Sequence, residues 1–152
     1  MKSLVTITLM LSLVLPAVTG CDAIDFLLGA TNVTVSLVND SDYAVKVELY
    51  VDDEQEIPKF LLTETDKMSY TIPAGETRSF TRACDDLQAI IIDSADLLII
   101  GGLGPDDDTD VLRDGDDFHC GDTIIFTFDH SDAIVDFNIL TEVQAGGIVL
   151  AD

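Results

Sequence analysis

Residues 32–51 read NVTVSLVNDSDYAVKVELYV, and this stretch decides the fold class. The odd positions from Val33 to Leu37 are apolar and the residues between them are polar. Residues 44–51 repeat the alternation, which is the two-residue period of half-buried β-strands. The polar residues 39–42 between the two runs have the chemistry of a turn. The stretch therefore predicts a β-hairpin with one apolar face.

Strand and turn signals continue along the chain. The segment Pro73-Ala74-Gly75-Glu76 has Pro and Gly where a tight reversal needs them. A block that is apolar on both faces is interrupted by Asp93-Ser94-Ala95-Asp96, which predicts a hairpin of two buried strands. A third polar turn, Asp129-His130-Ser131-Asp132, separates the last two strands. The further predicted strands are 68–72, 77–82, 87–92, 97–100, 123–128 and 133–141.

About eight short strands without a long helical period favour an all-β fold, an antiparallel β-sandwich that is Ig-like or similar. The segment 57–65 is ambiguous. Pro58 suits a first helical turn, so the segment is either a short helix or a loop carrying Phe60, Leu61 and Leu62 under the sandwich. The strand pattern assigns residues 32–143 to the sandwich and 144–152 to a C-terminal tail.

Acidic residues dominate the composition. The chain of 152 residues has 29 Asp or Glu against 7 Lys or Arg, which gives a formal charge of −22. Nucleic acids are excluded as expected partners, because phosphate binding depends on clustered Lys and Arg. Hydrophobic residues make up 47% of the chain, enough for one folded core, so the sequence does not have the composition of a disordered protein.

The N-terminus has the pattern of an export signal. Lys2 gives a positive start, residues 4–15 are almost entirely apolar, and small residues follow Pro16. The run is too short for a typical transmembrane helix. It ends in Val18-Thr19-Gly20-Cys21, which resembles the lipobox of bacterial lipoproteins. The resemblance implies a signal peptide at 1–20, lipidation of Cys21, and a tether at 21–31. An ordinary signal peptide that precedes a Cys is the alternative.

The two other cysteines agree with export. Cys84 and Cys120 remain as an even pair once Cys21 is lipidated, and a disulfide would persist in an oxidising compartment. We expect them to form a disulfide, with two free or buried thiols as the alternative. A zinc site is poorly supported, because His119 and His130 have no zinc-ligand spacing with these cysteines.

The segment 106–122 has the highest density of Asp in the chain. Five of its carboxylates fall at positions 1, 3, 5, 9 and 12 of an EF-hand-like loop: Asp106, Asp108, Asp110, Asp114 and Asp117. The match is partial, because position 6 is Val111 instead of Gly and position 12 is Asp instead of Glu. The sequence thus supports two interpretations, a Ca²⁺ site and a solvated acidic loop.

Motifs of the common enzyme classes are not found in the sequence, whether GxSxG, HExxH or a P-loop. The preferred hypothesis is a non-catalytic binding or structural module, anchored by lipid on the extracytoplasmic face of the cell membrane or outer membrane. Its expected partners are the membrane, through the anchor, and an unknown protein or envelope component. The globular part resembles uncharacterised acidic lipoproteins, a resemblance that implies no site residue. The alternative is an extracytoplasmic hydrolase with a site on the acidic loops.

Overall fold

Two β-sheets face each other in the computed structural model, which describes residues 30–99, 104–130 and 136–146. The strands of the described residues are β1 (Asn32–Asn39), β2 (Ala44–Asp52), β3 (Asp66–Ile72), β4 (Thr77–Ala83), β5 (Ala89–Leu98), β6 (Asp106–Asp107), β7 (Leu112–Arg113), β8 (Thr123–His130) and β9 (Phe137–Gln144). A short helix, α1 (Lys59–Leu62), follows β2, and a 3-10 turn (Cys84–Asp86) follows β4. The predicted all-β sandwich is confirmed.

Sheet A has the strand order β4-β1-β8-β9, and sheet B has the order β3-β2-β5-β6, with β7 also paired to β5. Most neighbouring strands are antiparallel, as predicted. The exception is β1, which lies antiparallel to β4 but parallel to β8, with Val35 opposite Ile124. On one side of the sandwich, a carboxylate oxygen of Asp107 in β6 accepts a hydrogen bond from the backbone N–H of Ile139 in β9 at 2.9 Å. This bond links the two sheets at that edge.

The predicted hairpin of the first two strands is wrong. β1 belongs to sheet A and β2 to sheet B, so the connection between them crosses from one sheet to the other. Asn39, which is 1% exposed, organises this crossing. Its side-chain amide donates to the carbonyls of Tyr43 at 2.8 Å, Ile72 at 2.9 Å and Pro73 at 3.0 Å. Two strands with the same alternation can face one core from opposite sheets, so alternation alone does not identify a hairpin.

The predicted hairpin around residues 93–96 is also wrong, because β5 is continuous from Ala89 to Leu98. Its pairing with β2 shifts by one residue between Glu48 and Leu49. The irregularity lets Asp93 and Ser94 both lie half-buried while Ala95 returns to the core. Residues 93–96, which were predicted to form a turn, therefore contain a β-bulge within β5.

The last hairpin lies only partly within the described residues. β8 and β9 pair antiparallel, as predicted, and β9 is described from Phe137 onward. The predicted turn residues 131 and 132, the strand residues 133–135 and the strand residue 100 lie outside the described residues. So do the predicted signal peptide 1–20, residues 21–29 of the tether and residues 147–152 of the tail.

Apolar side chains from the two inner faces form the main core. Its largest fully buried members include three phenylalanines, Phe118, Phe126 and Phe128. A second, smaller cluster lies on the outer face of sheet B, where Tyr50, Ile57, Leu62, Ala89 and Ile91 are buried together. Among the residues that the structure describes, no helix is long and apolar enough to span a membrane.

Candidate functional site

The disulfide marks one end of the sandwich, which we call the disulfide end. Cys84 lies in the 3-10 turn between β4 and β5, and Cys120 lies between β7 and β8. Their sulfur atoms are bonded and their Cα atoms are 5.4 Å apart. The predicted disulfide is confirmed, and it ties the segment that directly follows β4 to the segment that precedes β8, the two strands that flank β1 in sheet A.

The chain enters the sandwich beside this bond. The backbone N–H of Cys84 donates to the carbonyl of Thr31 at 3.0 Å, and that of Gly121 donates to Asn32 at 3.2 Å. Gly121 has φ +99, and a Cβ at this position would lie 2.7 Å from the Cβ of Ala30, so a larger residue would displace the entering chain. Residue 30 is therefore held at the disulfide end.

A shallow cavity of about 330 Å³ opens at the same end, lined by Ala30, Thr31, Ala83, Cys84, Asp85 and Cys120. A second cavity of about 370 Å³ is lined by Val51, Asp52, Asp53, Asp66, Arg82 and Asp86. Asp66 in the second cavity pairs with Arg82 at 2.8 Å. The six lining residues include no Ser, Cys, Thr or His that could act as a nucleophile or an imidazole base, so this acidic cavity does not have the residues of a catalytic triad.

The acidic segment is built into the edge of sheet B. Asp106 and Asp107 form β6 opposite Asp96 and Ala95, and Leu112 and Arg113 form β7 opposite Ile90 and Ala89. These two short strands were not predicted, because two residues are too few to show a period.

Two of the five predicted Ca²⁺ ligands accept hydrogen bonds from groups within the protein. Asp108 pairs with Lys59 at 3.0 Å, and Asp117 accepts a hydrogen bond from the backbone N–H of Arg113 at 2.8 Å. Asp106 lies in β6 and Asp114 in an isolated bridge with Phe118, while Asp110 is exposed. Within the described ranges, no three His, Cys, Asp or Glu residues form a group that could hold a metal ion. Ca²⁺ binding by this segment stays a prediction.

An ion cluster lies on the outer face of sheet B. The Lys67 ammonium donates to Glu48 at 2.6 Å and the Lys46 ammonium at 2.9 Å. The hydrogen bond from Lys67, and after it the one from Lys46, lowers the pKa of Glu48. The hydrogen bond to Glu48 in turn raises the pKa of Lys67. The side chains of Lys46 and Lys67 are 46% and 44% exposed, so the cluster belongs to the surface.

Helix α1 presents an apolar surface next to this acidic segment. Leu62 is fully buried in the cluster on the outer face of sheet B, whereas Phe60 is 71% exposed and Leu61 is 47% exposed. The interpretation of all three as residues under the sandwich is therefore correct only for Leu62. Pro58, two residues before the apolar run 60–62, is the only signal in the sequence for this helix, and four helical residues do not define which side faces inward.

Comparisons with known proteins give one structural similarity. No family model and no curated protein matches the chain. The fold is similar to that of the T6SS lipoprotein TssJ1 from Pseudomonas aeruginosa, with a TM-score of 0.40 and 12% sequence identity, over 74% of this chain and 96% of that chain.

Proposed function

We propose that the protein is a lipid-anchored, extracytoplasmic binding module without catalytic activity. The observation that carries the proposal is the place where the chain enters the sandwich. Ala30 is held beside the Cys84–Cys120 disulfide, and it lies nine residues after Cys21, the acceptor in the lipobox-like sequence. A disulfide in the folded domain suits an oxidising compartment, which the same signal sequence predicts.

The tether limits how the domain can lie on a membrane. Nine residues span at most about 30 Å when fully extended, so a lipid on Cys21 keeps the disulfide end close to the bilayer. The turn at Asn39 and residues 72–76 lie at the opposite end of the sandwich, farther from the tether. Two or more acyl chains on Cys21 would hold the protein stably, because each buried CH₂ contributes about 0.8 kcal/mol.

The charge of the domain sets its distance from the lipid. Cleavage before Cys21 removes Lys2 and no acid, so the mature chain has 6 basic and 29 acidic residues, and 6 − 29 gives −23. Anionic headgroups repel such a domain within a Debye length of about 8 Å. The anchored domain is thus available to other proteins and is not drawn onto the lipid surface.

Labelling with an alkyne analogue of palmitate tests the anchor. The wild-type chain, expressed in full in a bacterial host, is expected to be labelled and to partition into the detergent phase. Cys21→Ala should abolish both properties, whereas Cys84→Ala, the matched control, should keep the label. Retention of the label by Cys21→Ala, or its loss in Cys84→Ala, would contradict lipidation at Cys21.

A further inference from the structure

The two exposed side chains of α1, Phe60 and Leu61, form a small apolar projection that we call the knob. They are 71% and 47% exposed, although Leu62 beside them is fully buried. Phe60 keeps most of its surface in water after folding and Leu61 keeps about half, so both contribute less to the stability of the fold than Leu62 does. Their orientation is instead suited to contact with another molecule.

The base of the knob is fixed by contacts from three directions. Leu62 and Ile57 pack into the cluster on sheet B. The Arg113 guanidinium donates to the carbonyl of Ile57 at 2.9 Å and also to that of Gln55. The Thr65 hydroxyl donates to the carbonyl of Leu62 at 2.6 Å. Because the backbone below the knob is already ordered, binding through it loses little conformational entropy.

The surroundings of the knob are acidic. Glu56 and Glu64 are exposed and lie four residues before and after Phe60. The nearest base in sequence, Lys59, is paired with Asp108 at 3.0 Å, so its charge is balanced within the protein. Arg113 adds one positive charge at the base of the knob, against the two negative charges of Glu56 and Glu64, so the neighbourhood of the knob keeps a net negative charge around an apolar centre.

We propose that the knob binds a protein partner that presents an apolar pocket bordered by Lys and Arg. This inference rests on the proposed function and specifies its binding surface. Aromatic side chains at the centre of an interface dominate binding energy, and opposite charges at the rim raise association rates and select partners. A membrane is the less suitable occupant, because insertion of the knob would bring Glu56 and Glu64 close to anionic headgroups.

A photo-crosslinking experiment in the native cell tests the partner chemistry. The full-length chain carries Leu61→p-benzoylphenylalanine, which leaves Phe60 in place. We expect one protein adduct, and mapping by mass spectrometry should locate the bond in an apolar pocket with Lys or Arg at its border. Phe60→Ala should lower the yield of this adduct at least about tenfold, as expected for removal of a hot-spot residue.

Two further variants test whether the adduct yield depends on the knob itself and on the charge around it. Leu140, 57% exposed in β9 on the other sheet, provides the matched control, and Leu140→Ala should leave the adduct yield unchanged. Reversal of the rim charge with Glu56→Lys and Glu64→Lys keeps the knob but should also lower the yield, because like charges then face each other.

Four results would overturn the inference: no protein adduct at position 61, an adduct with lipid, an adduct on an acidic surface, and a yield that Phe60→Ala does not change. Palmitate labelling of the same cells distinguishes this failure from that of the proposed function. A labelled protein without a knob-dependent adduct rejects only the knob as the binding surface, whereas loss of the label rejects the lipid anchor.

Discussion

Removal of the Cys84–Cys120 disulfide is expected to lower the free energy of unfolding by about 3–4 kcal/mol. The bonded residues are separated by 36 positions, so the bond closes a loop of 37 residues. In the chain-entropy model, opening such a loop returns about 13 cal/mol/K to the unfolded chain, or about 3.8 kcal/mol at 25 °C. The native state changes less, because both sheets keep their hydrogen bonds without the covalent link.

Equilibrium unfolding in urea measures the effect. All proteins carry Cys21→Ser, which removes the lipid acceptor and leaves the disulfide intact. Cys84→Ala, Cys120→Ala and the double variant should lose nearly the same stability, because either change alone removes the whole bond and the effects of two coupled positions do not add. The unfolding slope should also rise, because an unfolded chain without the crosslink exposes more surface.

Reduction of the parent protein with dithiothreitol provides a control without mutation. It should shift the unfolding midpoint in the same direction as the alanine variants. A loss below about 1 kcal/mol in the double variant would refute the entropic reasoning. Additive losses in the two single variants would show that each side chain acts through its own packing and not through the shared bond.

Three other predictions concern the turn, the ion cluster and the acidic segment. Asn39→Ala should lower the free energy of unfolding in urea by about 2–4 kcal/mol, because the side chain is buried and donates to three carbonyls. Asn39→Asp should lower it at least as much, since the change replaces a donor by an acceptor. A change in the free energy of unfolding within experimental error would contradict this role of Asn39. Lys67→Met should lower the unfolding midpoint slightly at pH 7. This difference from the wild-type protein should vanish as the pH falls from the ordinary Glu pKa of 4.5 through the lowered pKa of Glu48, because a lowered carboxylate pKa stabilises the folded state only while the group is ionised. A difference that persists in acid would reject the pairing of Lys67 with Glu48. Ca²⁺ should raise the melting temperature more than NaCl of equal ionic strength if residues 106–117 bind it specifically, and equal shifts would reject a specific site.

The sequence predicted the positions of most long strands, but of their pairings it predicted correctly only that of β8 with β9. Alternation identified β1 and β2 because their inner faces contain only Val and Leu between polar residues. It could not assign them to opposite sheets, since that depends on the bonds of Asn39 to residues 33 or more positions away. The polar residues 93–96 failed as a turn signal for a related reason, because a bulge opposite Glu48 and Leu49 accommodates them within β5.

The knob of Phe60 and Leu61 was harder to predict from the sequence than the disulfide. The two cysteines could be paired by counting alone, because the predicted lipidation of Cys21 leaves only Cys84 and Cys120. The exposure of Phe60 depends on which side of α1 packs on sheet B, and four residues carry too little periodicity to decide it. The contacts that settle it come from Ile57 and from Arg113, the latter more than 50 residues further along the chain.

The central position of β1 in sheet A has a consequence for the time course of folding. Its neighbours are β4 and β8, and the second of these begins only at Thr123. A chain that leaves the ribosome from its N-terminus must keep residues 32–39 without their full set of partners until almost the whole domain has been synthesised. Folds that depend on such distant pairing fold in milliseconds to seconds, slowly for their size. The first strand to emerge is thus completed near the end, and until then it needs protection from pairing with other chains.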